Sequence, residues 1–401
     1  MMRKRAGTAL LTPVFGVLLA TGTAPPAAAD APPHWEVAAM NVPQAHKAAQ
    51  GKGVTVAVLD TGVVANHPAL KGRVITGPDF VGGGARPGMS YWGEHGTAMA
   101  SNVLNVAPQA RVLSVRVIYD HKDPAREKAK KLLKSDKQAW KAREALAKGI
   151  KYAVDKGAKV ISMSLGTSEW AFFDIYEEDT AAAVGYALAK GVVIVAASGN
   201  GGGTSSIFDK NFDKDANNNV SYPAAYPGVI GVAASGPDGR RAEFSQVHTY
   251  NAISAPGVGI VGASNTGGYR QGDGTSDSCS LAAGVVALML SRNPDLNPGQ
   301  VRDILTKTAK HPTGGWNPLV GYGQVDAAAA VTAAGSATKA EIAAVPYKGK
   351  KYFGNGPTDE PFTHPPIDSG YLLIGGTGVA IGLLFLLGAF LLLRRPRARK
   401  T

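Results

Sequence analysis

Three short segments carry the side chains that nucleophilic hydrolysis requires. Asp60 lies in Val-Ala-Val-Leu-Asp-Thr-Gly, His95 in Gly-Glu-His-Gly-Thr-Ala-Met-Ala, and Ser276 ends Gly-Thr-Ser. A serine hydroxyl becomes a nucleophile when an imidazole accepts its proton, and a carboxylate can orient that imidazole and stabilise its protonated form. The residue types therefore predict acyl transfer, with Ser276 as nucleophile, His95 as general base and Asp60 as its partner.

Each segment alone has a simpler explanation, but the three together do not. Asp60 could be a turn residue, and Ser276 could cap the small-residue helix that follows it. The chain order Asp, His, Ser separates one lineage of convergent triads from the others. In this order and context, the segments resemble those of the subtilisin-like serine proteases (subtilases) over roughly residues 40–335. The resemblance implies a serine endopeptidase that forms an acyl-enzyme and requires no metal or cofactor.

The same resemblance implies further site residues. Asn200 ends Ala-Ala-Ser-Gly-Asn, the subtilase segment whose side-chain amide donates to the oxyanion, a contribution of roughly 3–4 kcal/mol. The segment Ser-Met-Ser-Leu-Gly resembles the strand that pairs with extended substrate through backbone hydrogen bonds. It supplies four candidate substrate-binding residues: Ser162, Ser164, Leu165 and Gly166.

Other residues could compete for these roles. His67 lies in Asn-His-Pro, a turn with no helix after it, so His95 is preferred. Cys279, the only cysteine, lies one turn after Ser276 in an apolar stretch, which favours a packed thiol over a nucleophile. An aspartic protease would need a second carboxylate sharing a proton with Asp60. Asp368 is in Asp-Ser-Gly but has no strand before it, so this alternative is rejected.

The segment after Ser276 departs from the subtilase pattern. Most subtilases continue Met-Ala-Ala-Pro-His, whereas here Asp277-Ser-Cys-Ser-Leu follows. An acid suits the start of a helix, but the charge of Asp277 could oppose the oxyanion if it turned inward. This leaves an alternative open, in which the chain is a weak or inactive subtilase-fold scaffold of a membrane secretion complex.

Alternating apolar and amphipathic stretches predict the elements that must position these residues. Nearly continuous apolar runs of this kind indicate a parallel sheet covered on both faces. The predicted strands are 54–59, 111–118, 159–165, 191–197 and 229–234. Apolar residues at helical spacing predict a helix before the third strand, and Asn297-Pro298 predicts the start of a later one. Alternating strands and helices predict an α/β fold with three layers. Asp60 then ends a strand at the edge where functional crevices form.

The two ends of the chain predict export and membrane attachment. Residues 1–29 have a basic start, an apolar run and small residues, as secretory signals do. The stretch from Tyr371 to Leu393 has no charged residue and is long enough to cross a bilayer, for which about 20 residues are needed. Basic residues follow at once, which predicts a cytoplasmic tail and an extracytoplasmic catalytic domain in a single-pass membrane protein.

This layout resembles that of the mycosins, membrane-anchored subtilases associated with type VII secretion. The resemblance implies protein or peptide substrates and a type VII secretion complex as partner. Only 30 residues separate the expected signal from Asp60, so a separately folded inhibitory pro-domain is not expected. The predicted divisions are signal peptide 1–29, N-terminal extension 30–50, protease domain 51–335, Pro/Gly-rich spacer 336–370, transmembrane helix 371–393 and tail 394–401.

The net charge of +12 does not indicate nucleic-acid binding. Eight of these charges lie in residues 3–5 and 394–400, so the middle of the chain is nearly balanced.

The Lys-rich stretch 120–147 predicts a solvated surface helix, with a partner-docking surface as the alternative. The polar loop 209–219 could hold calcium, but it lacks the glycine and closing glutamate of the known motif. A solvated loop and no metal site are therefore expected.

Overall fold

A computed structural model describes residues 34–133, 139–166, 176–202, 218–340 and 369–393. The expected signal peptide and basic tail lie outside the described residues. Most of the spacer 336–370 and of the loop 209–219 lies outside them as well.

The main sheet has seven strands, all parallel, in the order β2-β3-β1-β4-β5-β6-β7. The strands are β1 Thr55–Asp60, β2 Val74–Asp79, β3 Arg111–Arg116, β4 Val160–Met163, β5 Val193–Ala197, β6 Ile230–Ser235 and β7 Asn251–Pro256. A separate antiparallel hairpin is formed by β8 Ile260–Ala263 and β9 Tyr269–Gly272. β1 is the third strand in this order, with neighbours on both sides, so Asp60 lies inside the carboxyl edge of the sheet rather than at its border.

Helices cover both faces of the sheet. The helices of this folded part are α1 Trp35–Ala39, α2 Val42–Ala45, α3 Glu94–Val106, α4 Pro124–Leu133, α5 Ala139–Asp155, α6 Glu178–Ala189, α7 Thr275–Arg292, α8 Pro298–Thr308 and α9 Ala327–Ser336. A further helix, α10 Ser369–Leu393, does not cover the sheet and is exposed along almost its whole length. Successive residues of β1 point to opposite faces, so Val56 and Val58 join the core under α3 and α7. Ala57 and Leu59 join the core under α5 and α6. The predicted three-layer α/β architecture is confirmed.

The five predicted strands are present, and two strands of the sheet were missed. β2 contains Gly77 and Pro78, which weaken a strand pattern, and it lies half-buried at the sheet edge. β7 contains Asn251 and Ser254, which are buried without being apolar and so interrupt the apolar pattern. β4 ends at Met163, two residues earlier than the pattern predicted, so Ser164 follows the strand.

The helix that carries Ser276 passes through the interior of one layer. Small residues let α7 approach α3 closely: a methyl group on Gly284 would lie 2.6 Å from Cβ of Val106. The capping predicted for α8 is also present, because the Asn297 side chain accepts from the backbone N–H of Gln300 at 2.9 Å and the Gln300 side chain accepts in return. The start of α7 is joined to α3 by a side-chain hydrogen bond, because Asn102 on α3 donates to Asp277 at 2.8 Å.

The two ends of the described chain differ in how they relate to this core. α1 and α2, from the expected extension, pack into it: Met40 and Val42 are fully buried, and Asn41 donates to Asp326 at 2.6 Å. Residues 34–50 of the extension are therefore part of the folded domain. The apolar helix α10 contains a span, Leu373–Leu391, that is long and apolar enough to cross a membrane.

Candidate active site

Asp60 and His95 are joined directly at the carboxyl edge of the sheet. Asp60 ends β1 and is fully buried, and both of its carboxylate oxygens lie 2.9 Å from Nδ1 of His95 in the first turn of α3. Close approach requires glycine in that turn, since a methyl group on Gly96 would lie 2.1 Å from the carbonyl oxygen of Gly62. The residue after His95 must therefore be glycine, because a larger side chain would collide with the backbone that follows Asp60.

The charges around His95 favour its protonated form. Burial lowers the pKa of the imidazole, but the charge and hydrogen bond of Asp60, helped by Asp277, outweigh burial and raise it above 6.5. Arg270 acts in the opposite direction. Because Nδ1 faces the carboxylate, Nε2 is the nitrogen that remains to accept a proton.

The start of α3 is capped from elsewhere in the chain, a feature that the sequence analysis missed. Gly93, the residue before the helix, has no side chain to cap it. The carboxylate of Asp120 instead accepts from the backbone N–H groups of Glu94 and His95, at 3.2 and 3.3 Å. Thr61 accepts from Gly96 at 3.0 Å. Burial raises the pKa of Asp120 to about 6, although these hydrogen bonds oppose the rise.

Ser276 lies at the start of α7 and is bonded to the segment that follows β4. Its hydroxyl donates to the carbonyl oxygen of Ser164 at 3.2 Å, and the Ser164 hydroxyl donates to the carbonyl oxygen of Ser276 at 2.9 Å. Ser276 and His95 line the same cavity, which has a volume of about 250 Å³. His95 and Ser276 thus line one cleft, with Asp60 buried behind His95 and the serine hydroxyl turned towards Ser164.

Asn200 is oriented by the residue that precedes Ser276. Its Oδ1 accepts from the backbone N–H and the hydroxyl of Thr275, at 2.9 and 2.7 Å, which leaves Nδ2 as the free donor of the amide. A methyl group on Gly274 would lie 3.6 Å from both Asn200 Nδ2 and the backbone N of Ser276. Two donors therefore border one point beside the serine, an arrangement that could hold a developing oxyanion.

Three of the four predicted substrate-binding residues line the cleft. They are Ser164, Leu165 and Gly166. Ser162 does not line it, because its position in β4 pairs with β1 and β5 inside the sheet. Its buried hydroxyl faces the sulfur of Cys279 at 3.7 Å. The segment predicted to pair with substrate therefore begins too early in the chain. The backbone of Ser162 is already paired with β1 and β5 and cannot also pair with a substrate.

The two residues that could compete for the catalytic roles, Cys279 and His67, are both held by contacts within the fold. Burial raises the pKa of the Cys279 thiol to about 12, and the side chain is fully buried, so the prediction of a packed thiol is confirmed. Both ring nitrogens of His67 are engaged. Its Nε2 lies 2.9 Å from the carbonyl oxygen of Gly268, and its Nδ1 accepts from the backbone of Ala69 at 3.2 Å.

Asp277 is buried beside the candidate nucleophile. Its Oδ1 accepts from the side-chain amide of Asn102 on α3 at 2.8 Å. Burial raises the pKa of Asp277 to about 6, while His95, Asn102 and Arg270 oppose the rise. The other oxygen, Oδ2, would lie 3.4 Å from a methyl group on Gly274, so it borders the region of the two donors.

Comparison with known proteins identifies the family of the chain. The sequence profile of the subtilase family matches residues 51–323, a range that contains Asp60, His95, Asn200 and Ser276. The chain belongs to the subtilase family. This subtilase is 35% identical to Mycosin-1 of Mycobacterium tuberculosis over 346 residues, which are 79% of the chain and 77% of the relative. It is 34% identical to Thermitase of Thermoactinomyces vulgaris over 262 residues, 63% of the chain and 80% of the relative.

Solved structures of relatives show the same fold. MycP1 from Mycobacterium smegmatis aligns with a TM-score of 0.60 at 30% identity, covering 84% of this chain and 89% of that one. The MycP3 protease from the type VII (ESX-3) secretion system aligns with a TM-score of 0.59 at 31% identity, covering 74% and 87%. The subtilase is therefore a subtilisin-like serine protease in fold and family.

Proposed function

We propose that this subtilase hydrolyses peptide bonds through a covalent acyl-enzyme. Ser276 Oγ attacks the substrate carbonyl carbon while His95 Nε2 takes the hydroxyl proton, and Asp60 stabilises the imidazolium that forms. His95 then gives that proton to the leaving amine as the peptide C–N bond breaks. Water, deprotonated by His95 in turn, attacks the acyl carbon, and the bond to Ser276 Oγ breaks as His95 returns the proton to that oxygen. The observation that carries the proposal is the Asp60–His95 hydrogen bond at the cleft that Ser276 lines.

The oxyanion that forms on the substrate carbonyl needs donors on the opposite side of the serine. We assign this role to Asn200 Nδ2 and the backbone N–H of Ser276, because both border one point in the cleft. Ser164, Leu165 and Gly166 would pair with the extended substrate backbone along the same wall. In this scheme the Ser276 hydroxyl leaves the Ser164 carbonyl oxygen and turns to His95 when substrate binds, since such contacts often tighten only in the complex.

We further propose that α10 anchors the enzyme in the cell membrane, with the protease domain outside and the basic tail in the cytoplasm. The apolar span of α10 and the Arg-rich residues after it support this orientation. Two similarities support a role beside a type VII secretion complex. The chain resembles Mycosin-1, and it resembles the MycP3 protease, which comes from such a system. The substrates would then be proteins or peptides at the outer face of the membrane.

The test is labelling of the full chain, in isolated membranes, with a serine-directed fluorophosphonate probe. We expect the wild type to label and Ser276→Ala and His95→Ala to lose labelling. Ser336→Ala provides a matched control, because Ser336 is an exposed serine near the end of α9. A folded wild-type protein that does not label would contradict the mechanism.

Two observations favour the scaffold alternative. The Ser276 hydroxyl is bonded to Ser164, and a buried carboxylate, Asp277, lies beside it. If the wild type fails to label even in membranes that contain its secretion partners, a scaffold role replaces the enzymatic one.

A further inference from the structure

An arginine on the β8–β9 hairpin reaches the cleft. Arg270 pairs with Gly262 in the hairpin, and the hairpin is fixed to α3, since the backbone N–H of Ala263 donates to the Ser101 hydroxyl at 2.8 Å. The Arg270 side chain lines the same 250 Å³ cavity as His95 and Ser276. The fold thus places a permanently charged group beside the candidate triad, in a position that the mechanism above does not use.

Within the described part of the chain, the Arg270 guanidinium has no hydrogen-bond or ion-pair partner. Its Nε is buried without an acceptor. The two acidic side chains that line the same cavity are turned to other groups. Asp277 accepts from Asn102, and Asp273 accepts from the backbone N–H of Gly259 at 2.6 Å. A partly desolvated cation without an acceptor is costly, so this position favours a ligand that supplies one.

The position of Arg270 indicates which part of a substrate it would meet. Its Nη1 lies over Gly272, 3.5 Å from where a methyl group on that residue would be. Its charge also acts on His95, whose pKa it lowers. His95 delivers the proton to the leaving amine, and the hairpin that carries Arg270 packs against the helix of His95. We therefore place Arg270 on the leaving side of the scissile bond.

We propose that Arg270 determines substrate specificity by binding a carboxylate of the substrate, an Asp or Glu side chain within the first three residues after the scissile bond. The inference rests on the proposed protease function. A guanidinium presents paired N–H donors that match the two oxygens of a carboxylate, whereas a lysine ammonium does not. The substrate class is therefore proteins with an acidic residue just after the cleavage point.

The experiment profiles cleavage by the full-length protein in detergent. Each peptide in the library carries Glu, Gln or Lys at one of the three positions after its scissile bond. The products are quantified by mass spectrometry. We expect Glu to exceed Gln by about three- to tenfold in kcat/KM at one position, the range of a charge-assisted pair that is partly open to water. Arg270→Gln should abolish this ratio, Arg270→Glu should reverse it towards Lys, and Arg270→Lys should retain part of it.

The control is Arg240→Gln, which removes an exposed arginine from a surface turn and should leave the ratio unchanged. If Arg270→Gln lowers cleavage of all peptides equally, Arg270 only balances the charges around His95, and the proposal is overturned. A wild type that cleaves without any preference for acidic residues also overturns it. Fluorophosphonate labelling separates the two proposals: labelling without charge preference refutes only the role of Arg270, and absence of both labelling and cleavage refutes both.

Discussion

Asp277 places a second carboxylate close enough to His95 to act on its charge. Its anionic form raises the pKa of the imidazole, and His95 acts as general base only when unprotonated. Asp277→Asn should therefore lower the pKa of His95 and move the acid limb of the kcat/KM profile to lower pH. The measurement is the pH dependence of peptide cleavage between pH 4 and pH 9.

Asp273 offers a matched control for this prediction. The substitution Asp273→Asn removes one negative charge from the lining of the same cavity, as Asp277→Asn does. The Asp273 carboxylate, however, is exposed and accepts from the backbone N–H of Gly259. Asp273→Asn should shift the acid limb less than Asp277→Asn. Equal shifts, or no shift in the Asp277 variant, would show that the carboxylate beside Ser276 does not act on His95.

Gly274 leaves room beside the nucleophile. A methyl group there would lie 3.6 Å from both Asn200 Nδ2 and the backbone N of Ser276, where we place the oxyanion. Gly274→Ala should reduce kcat by about a hundred- to a thousandfold, the loss associated with one oxyanion donor. The backbone of Gly274 is extended, with φ of 176°, so the melting temperature should change little. A variant with normal kcat would place the oxyanion elsewhere.

At the scale of elements, the start of α3 depends on a carboxylate from the loop after β3. Asp120 accepts from two of the N–H groups that a helix leaves unpaired at its start, one of them that of His95. Asp120→Ala should cost about 1–2 kcal/mol of unfolding free energy, as the loss of a helix cap does. It should also lower kcat more than it raises KM, because it displaces His95 rather than a substrate contact.

Chemical denaturation and steady-state kinetics measure these two effects. Asp238→Ala is the control, since Asp238 is an exposed acid in a surface turn. If Asp120→Ala loses stability but keeps kcat, the carboxylate supports the fold without positioning His95.

The elements that could be predicted from the sequence are those whose pattern is local. β1 and β5 are continuous apolar runs because both of their faces are buried, and the glycine-bordered motifs at Asp60 and His95 reflect close backbone contacts. Asp120, Asn102 and Arg270 carry no such pattern. Each acts at the site only because of tertiary packing: Asp120 comes from a loop, Asn102 from about two turns further along α3 than His95, and Arg270 from a hairpin. One sequence therefore does not identify them.

At the scale of the whole molecule, the proposed topology sets the protease domain and the C-terminus on opposite sides of the membrane. The single native cysteine makes this testable: Cys279 is fully buried and its pKa is raised to about 12, so it should react little with thiol reagents. New cysteines can then report their own location. Asp238→Cys lies at a position whose side chain is 62% exposed, and Thr401→Cys lies at the end of the basic tail.

In intact cells, a membrane-impermeant maleimide should label Asp238→Cys. It should label Thr401→Cys only after the membrane is permeabilised, because positive residues after an apolar span stay on the cytoplasmic side. The unaltered chain measures the background from Cys279. Labelling of both variants in intact cells would mean that α10 does not cross the membrane as a single span. Labelling of Thr401→Cys alone would reverse the orientation and remove the protease from the outer face, where its proposed substrates lie.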